Sequence, residues 1–104
     1  LMGLMSDGGV HAHQNHIAAL ARIVAAAGVP VVIHAFLDGR DTPPQSAIKY
    51  LNDFLHTIAG MKQVKFGTVS GRYFAMDRDK RWDRVSKAYN AIALGTGSEA
   101  SSVL

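Results

Sequence analysis

The sequence predicts an α/β fold, a three-layer βαβαβα fragment in which helices flank a small parallel sheet. Short apolar and β-branched runs alternate along the 104 residues with segments of helical periodicity. Glycine and proline mark many of the junctions between these segments. The composition is that of a globular chain, with 48% hydrophobic and 18% charged residues, and the lack of cysteine excludes a disulfide scaffold. Because strands and helices alternate, right-handed crossovers and parallel strands are expected.

A βα unit opens the chain. Residues 1–5 form an apolar run typical of a buried strand, and Gly8 and Gly9 interrupt it because glycine readily adopts positive φ. Residues 13–27 predict a helix, and Gly28 follows where a C-terminal helix cap is expected. The apolar residues at helical spacing are Ile17, Leu20, Ala21 and Val24.

The second unit begins with a β-branched run that predicts a strand over residues 31–36. Thr42 and Pro43 have the pattern of an N-cap followed by proline at the first helical position. The second helix is therefore predicted to begin there and to end near Ile58. Its expected apolar face consists of Ile48, Leu51, Phe54, Leu55 and Ile58.

The third unit is predicted as a strand over residues 65–69 and a helix over residues 80–94, and residues 95–104 as a loop or frayed end. The apolar stripe of this helix is expected to be Trp82, Val85, Ala88, Tyr89 and Ile92. A sheet of three strands leaves two open edges. Residues 1–104 are therefore expected to be a single partial domain, the first part of a larger α/β lobe.

Charge and hydropathy exclude several classes of partner. The formal net charge of +3 is too small by itself to indicate nucleic acid. Residues 72–84 mix five cationic side chains with three aspartates, which argues against a stripe that follows a phosphate backbone. No run approaches the ~20 apolar residues of a membrane span, and no signal segment opens the chain. We expect a soluble, cytoplasmic protein without a nucleic-acid or membrane partner.

Three predicted loops follow the carboxyl ends of the strands, and we name them together the rim: residues 6–13, 38–41 and 71–79. All three are rich in titratable side chains, whereas the loops at the opposite edge, 25–29 and 60–63, are nearly devoid of them. Ligands of open parallel sheets bind beyond the carboxyl ends of the strands. The sequence therefore predicts a ligand site at the rim.

The first rim loop has the features of an anion site. Its glycine N–H groups and the start of the next helix favour negative charge, and His11 can donate to a phosphate or carboxylate. The alternative is a capping turn in which Ser6 or Asp7 satisfies the helix end. His13 and His16 stand three apart, but surface positions are favoured over a metal site for this pair, and no metal ligand set is expected in the chain. His34 is predicted to be a hydrogen-bonded core residue and His56 a helix-surface residue.

The other two rim loops supply the candidate binding residues. Arg40 offers a planar fork for carboxylate or phosphate, and Asp41 can serve a substrate hydroxyl as general acid or base. Arg72 and Arg78 can clamp a small dianion. The alternatives are a locally capped turn at residues 38–41 and a salt-bridged helix start in the third loop. Arg81 and Arg84 are assigned to that helix start, and Tyr73, Phe74 and Trp82 are expected to pack rather than to stack on bases.

Three segments carry a family resemblance: LMGLMSDGGVHAHQNH, HAFLDGRDTPP and SGRYFAMDRDKRWDRVSKAY. In order and spacing they resemble the 2,3-bisphosphoglycerate-independent phosphoglycerate mutases over nearly the whole chain. The chain departs from the family pattern at Ala12, where serine is usual between the two histidines. The resemblance implies substrate-binding roles for His11, Arg40, Asp41, Arg72 and Arg78. It also implies that Asp41 relays the proton of a substrate hydroxyl.

The resemblance further implies a division of labour between two domains. This chain is similar to the first part of the phosphotransferase domain, which holds 3-phosphoglycerate or 2-phosphoglycerate. Two manganese ions and a transiently phosphorylated serine are implied in an alkaline-phosphatase-like domain outside these residues, and no 2,3-bisphosphoglycerate is implied as cofactor. The isolated chain is therefore expected to bind no cofactor and to be inactive. The alternative is a non-catalytic module that binds small phosphorylated acids.

Overall fold

Three parallel strands form the centre of the structure, a computed structural model that describes residues 1–104. The elements in chain order are β1 (Met2–Met5), α1 (Gln14–Ala26), β2 (Val31–Leu37), α2 (Ala47–Ile58), β3 (Val64–Gly71), α3 (Arg72–Ala75) and α4 (Trp82–Leu94). The strands lie in the order β1-β2-β3, and both pairs are parallel. The predicted parallel α/β fold is confirmed.

The pairing of β2 with β3 contains one irregularity. Ile33 pairs with Phe66 and His34 with Thr68, so that Gly67 is left without a partner. A Cβ atom at position 67 would lie 2.5 Å from Val32 Cγ1 and 2.9 Å from His34 Cε1, and only glycine fits this close approach. Regular pairing then continues to the ends of both strands. The residues that follow β2 and β3 therefore emerge side by side at the carboxyl edge.

The main core lies where α1 and α2 pack on one face of the sheet. Met5, Ile33 and Phe54 are fully buried there, and Phe54 meets Phe66 edge to face with ring centroids 5.8 Å apart. α4 packs against β3 and, together with His34 and Thr68, lines a groove on the other face. Helices therefore flank the sheet on both sides. None of the helices is both long and apolar enough to span a bilayer.

The first helix begins one residue later than predicted and buries a different face. The Nδ1 atom of His13 accepts a hydrogen bond from the Asn15 N–H at 3.1 Å, so the cap is a histidine and not Ser6 or Asp7. Leu20 is half exposed, contrary to the prediction, because the core-facing stripe of this helix passes through Ala18 and Ala21.

The second helix begins at Ala47, so the prediction that Thr42 caps it was wrong. Gln45 has φ +66°, a left-handed conformation that a helix cannot contain. Residues 43–46 instead form a turn in which Ser46 Oγ donates to the Pro43 carbonyl at 2.6 Å. Ile48 is exposed, contrary to the prediction, while Tyr50, which the predicted apolar face leaves out, is buried.

The third predicted loop contains the short helix α3, and the helix after it is less buried than expected. Ala88 is its only fully buried residue, whereas Trp82 is 72% and Tyr89 65% exposed. The predicted apolar stripe is wrong at these two aromatic positions because α4 packs mainly against α3 and β3. The prediction that Trp82 packs is wrong for the same reason. Gly95 at φ +66° ends the helix, and residues 95–104 contain no helix or strand.

Candidate functional site

The three rim loops meet because they follow parallel, neighbouring strands. Ser6 follows β1, Asp38 follows β2 and Arg72 follows β3, so that each is the first residue beyond its strand. The pairs Met5–Leu37 and Leu37–Gly71 bring the ends of the three strands level. The carboxyl edge of the sheet therefore places a hydroxyl, a carboxylate and a guanidinium together.

Asp38 is at the centre of this edge, with its side chain 1% exposed. Its Oδ2 atom accepts from Ser6 Oγ at 2.6 Å, and its Oδ1 atom accepts from the backbone N–H groups of residues 39–41 at 2.8 to 3.1 Å. Arg72 Nη1 also donates to Oδ1, at 3.0 Å. Burial by itself would raise the pKa of Asp38. The hydrogen bonds from Ser6, the backbone and Arg72 outweigh burial and hold this pKa well below its usual range.

Arg72 joins the second rim loop to the third. Its Nη1 atom contacts Asp41 Oδ2 at 2.7 Å as well as Asp38, and its side chain is largely buried. These carboxylates, Asp41 foremost, raise the pKa of Arg72 against the opposing effect of burial. The guanidinium is therefore fixed as a cation at the rim, with Nη1 committed to the two aspartates.

The first rim loop approaches Asp41 from the other side. His11 Nε2 lies 3.9 Å from Asp41 Oδ2, with the imidazole partly exposed. A Cβ atom on Gly8 would lie 2.9 Å from Asp41 Cβ, so glycine is required there for space. Of the two glycines that can readily adopt positive φ, only Gly9 does so, at +72°.

Two further predicted residues, Arg40 and Arg78, are exposed and form no ion pair. Together with Arg72 and Arg84 they line a cavity of about 500 Å³ between the second and third rim loops. His11 and Asp41 stand beside this cavity and not among its lining residues. The guanidinium groups of Arg40 and Arg78 are free to bind a ligand, whereas those of Arg72 and Arg84 are held by aspartates. This combination suits a small anion bearing phosphate or carboxylate groups.

Arg84 was assigned from the sequence to a salt-bridged helix start, and it does form one. Its Nη1 atom donates to Asp77 Oδ1 at 3.1 Å, and its guanidinium lies 4.0 Å from the centre of the Tyr73 ring. Burial would raise the pKa of Asp77, but N–H groups of Arg81 and Asp79 and the charge of Arg84 lower it. Sequence reasoning missed that Arg84 also lines the cavity. Its place in the first turn of α4, directly after the third rim loop, was the available signal.

The remaining histidines have local roles. The rings of His13 and His16 are 5.7 Å apart, and His13 caps α1. His34 is half-buried with Nδ1 2.9 Å from Thr68 Oγ1, and exposed His56 is hydrogen-bonded to the Asn52 carbonyl. No group of three or more His, Cys, Asp or Glu side chains is arranged to hold a metal ion in this chain.

Fold and site together define the class: a parallel α/β domain with an arginine-lined cavity at the carboxyl edge of its sheet. A family model described as "BPG-independent PGAM N-terminus" matches residues 1–104. The chain therefore belongs to the 2,3-bisphosphoglycerate-independent phosphoglycerate mutase family, to the N-terminal part that this model describes.

Individual relatives agree with this assignment. The chain is 56% identical over 102 residues to the 2,3-bisphosphoglycerate-independent phosphoglycerate mutase of Roseobacter denitrificans, covering 98% of this chain and 20% of the relative. The protein of that name from Gluconobacter oxydans is 53% identical over 104 residues, covering 100% of this chain and 20% of the relative. A crystal structure of Leishmania mexicana phosphoglycerate mutase at low cobalt concentration superposes with a TM-score of 0.89 at 31% identity, covering 98% of this chain and 20% of that one. The chain thus spans about one fifth of the length of these relatives.

Proposed function

We propose that the chain is the substrate-binding part of a phosphoglycerate mutase, an isomerase of glycolysis and gluconeogenesis that interconverts 3-phosphoglycerate and 2-phosphoglycerate. The observation that carries this proposal is the cavity at the rim, where Arg40 and Arg78 stand free beside the paired Arg72. A phosphoglycerate carries one phosphate and one carboxylate, each of which matches the planar fork of an arginine. The family membership supports the same substrate class.

Each predicted residue has a role in substrate binding or proton transfer. Arg40 and Arg78 bind the phosphate and carboxylate, and Arg72 contributes the guanidinium nitrogens that its aspartates leave free. His11 donates to the same anion from the first rim loop. Asp41, steadied by Arg72 at 2.7 Å, takes the proton of the glycerate hydroxyl and returns it as the phosphoryl group moves between positions 2 and 3.

The phosphoryl carrier is proposed to be a serine on a metal-binding domain outside these 104 residues, as the resemblance implies. Two manganese ions would supply Lewis-acid chemistry there. This chain has no side-chain cluster that fits a metal ion, so the work of its own residues is to bind, orient and exchange a proton. No 2,3-bisphosphoglycerate takes part in the proposal, in keeping with the names of the relatives.

A titration of the ¹⁵N-labelled chain with 3-phosphoglycerate tests the binding role. We expect the amide signals of residues 40, 72 and 78 to shift, and Arg78→Ala to weaken binding about tenfold or more, the effect of losing a strong charge-assisted hydrogen bond. Arg22→Ala is the matched control, because it removes an exposed arginine from the C-terminal half of α1, away from the rim. Unmoved rim amides, or equal losses in both variants, would contradict the proposal.

A non-catalytic module for small phosphorylated acids is the second candidate, and the exposed arginines over a cavity favour it equally at the level of binding. The parent open reading frame on both sides of these residues discriminates the two. An encoded region with a serine nucleophile and metal ligands decides for the mutase, and a reading frame without one decides for the module.

A further inference from the structure

Asp38 is the most extensively hydrogen-bonded side chain at the rim, yet it has no place among the residues that contact substrate in the proposed function. It receives five donors: Ser6 Oγ, three consecutive backbone N–H groups and Arg72 Nη1. Asp38 lies in the wall of the cavity, but its side chain is 1% exposed, so the carboxylate has almost no access to solvent or to a ligand there. Its contacts are with the groups that do the binding.

Those contacts connect all three strand ends. Oδ2 is tied to the residue after β1, while Oδ1 is shared between the turn that presents Arg40 and Asp41 and the guanidinium of Arg72. The two carboxylates at 3.0 and 2.7 Å hold Nη1 of that guanidinium from two sides. Removing either one leaves the arginine with a single anchor.

We propose that Asp38 is the positioning residue of this site: it fixes the guanidinium of Arg72 and the turn of Arg40 and Asp41 relative to one another before the ligand arrives. The consequence, which rests on the proposed function, is tighter binding of the phosphorylated acid. Groups that are already held in place lose less freedom on binding, and affinity rises accordingly.

Whether neutralising Asp38 weakens or strengthens ligand binding distinguishes a positioning role from a purely electrostatic one. As a bare negative charge beside the cavity, Asp38 repels an anionic ligand, so neutralising it would strengthen binding. As a positioning residue it supports binding, so neutralising it weakens binding. In Asp38→Asn the amide oxygen still accepts from the backbone N–H groups of the turn, and Ser6 Oγ can accept from the amide nitrogen. The variant therefore removes the charge that anchors Arg72 with little change of shape.

The experiment compares Asp38→Asn with Asp79→Asn. Asp79 is exposed, lines the same cavity and forms no ion pair, so its variant removes the same charge without freeing an arginine. With 3-phosphoglycerate as the probe, we expect Asp38→Asn to weaken binding about tenfold, equivalent to about 1.4 kcal/mol, and Asp79→Asn not to weaken it. Unchanged or tighter binding by Asp38→Asn overturns the proposal, as does an equal loss in Asp79→Asn.

A second readout needs no ligand. In the unchanged chain the anchored guanidinium of Arg72 should give separate, slowly exchanging Nη–H signals in NMR spectra, and Asp38→Asn should merge or broaden them. If 3-phosphoglycerate fails to bind the unchanged chain, the proposed function fails while these signals still decide the role of Asp38. If Asp38→Asn does not fold, Ser6→Ala, which removes one donor to the carboxylate and keeps its charge, should produce the same changes in weaker form. Signals of Arg72 identical in all folded variants would refute the positioning role.

Discussion

Two buried aspartates at the rim, Asp38 and Asp77, organise their loops in the same way. Each side chain is almost fully buried, each accepts hydrogen bonds from backbone N–H groups that follow it in the chain, and each holds one arginine. A buried carboxylate is stable only when its lone pairs are satisfied, and these loops satisfy them locally. Ordered backbone at the rim is the result, and Arg40 and Arg78 lie in or next to the segments that these two aspartates hold.

This arrangement predicts how stability depends on pH. The pKa of Asp38 is lowered in the folded chain, so the unfolded chain binds this proton first as the pH falls. The contribution of Asp38 to stability is therefore fully present above the unfolded pKa of about 3.9 and is lost as the pH falls toward the folded value. We expect the free energy of unfolding, measured by urea denaturation from pH 7 to pH 2, to decrease below about pH 4. Asp38→Asn should make this decrease shallower, with a remainder due to Asp77, whose pKa is also lowered.

The control for this measurement is Asp83→Asn. Asp83 is exposed on the first turn of α4, and its only ion pair, with Arg81, is 3.5 Å long and open to solvent. Exposed pairs of this kind contribute little to stability. The pH dependence of Asp83→Asn should follow that of the unchanged chain. If Asp38→Asn follows it too, Asp38 is not coupled to folding in the way its hydrogen bonds indicate.

At the scale of elements, the irregular pairing of β2 and β3 decides which side chains reach the rim. Because Gly67 has no partner, Thr68 and not Gly67 stands beside His34, and the two strands end together at Leu37 and Gly71. A one-residue change of register would turn the following side chains to the opposite face. The meeting of Asp38 with Arg72 therefore depends on this one glycine in the middle of a strand.

Gly67→Ala tests that dependence. Its Cβ would meet Val32 Cγ1 at 2.5 Å and the ring of His34 at 2.9 Å, so we expect a loss of about 1–3 kcal/mol in the free energy of unfolding, the usual cost of forcing atoms into a packed site. Gly71→Ala, at the end of the same strand, meets only Phe74 Cδ2 at 3.8 Å and is the matched control. Urea denaturation of both variants gives the comparison. Equal stabilities of the two variants would show that β3 shifts without cost and that the register does not depend on Gly67.

The sequence was sufficient for the type and order of the three strands and three longer helices, and for the convergence of the rim loops. Hydrophobic periodicity and glycine placement are local signals, and parallel topology follows from their alternation. The start of α2 was not predictable, because the Thr-Pro-Pro sequence fits a helix cap and nothing in it indicates the left-handed conformation of Gln45. The exposure of Trp82 was not predictable either, since helical spacing shows that an apolar residue shares a face but not whether anything covers that face.

For the candidate site, too, some residues could be predicted from the sequence and others could not. Arg40, Asp41, Arg72 and Arg78 could be selected because their residue types follow strand ends. The sequence predicts at most the local turn cap that Asp38 forms with residues 39–41. It does not show that Asp38 is buried and shared by three loops, since Ser6 and Arg72, its partners in the other two loops, lie more than 30 residues away in the chain. Long-range hydrogen bonds are set by strand register, and a register is fixed only in the folded sheet.

At the scale of the whole molecule, the rim carries nearly balanced charge. The cavity is lined by four arginines and three aspartates, although the chain as a whole has a formal net charge of +3. This edge of the sheet therefore lacks the extended cationic surface that would suit a nucleic-acid polymer. A compact anion that contacts a few fixed guanidinium groups fits it better.

The span of the chain then predicts its catalytic behaviour. It covers about 20% of the length of its relatives, and none of its side-chain clusters fits a metal ion. Phosphoryl transfer through a phosphoserine needs an activated nucleophile and a stabilised transferring group, and binding of the acid alone supplies neither. We therefore expect the purified chain to show no conversion of 3-phosphoglycerate to 2-phosphoglycerate by ³¹P NMR, with or without Mn²⁺, while a full-length relative under the same conditions shows turnover. Conversion by the chain that persists with a chelator present would mean that these residues hold a complete active site, and the division of labour proposed for the two domains would be wrong.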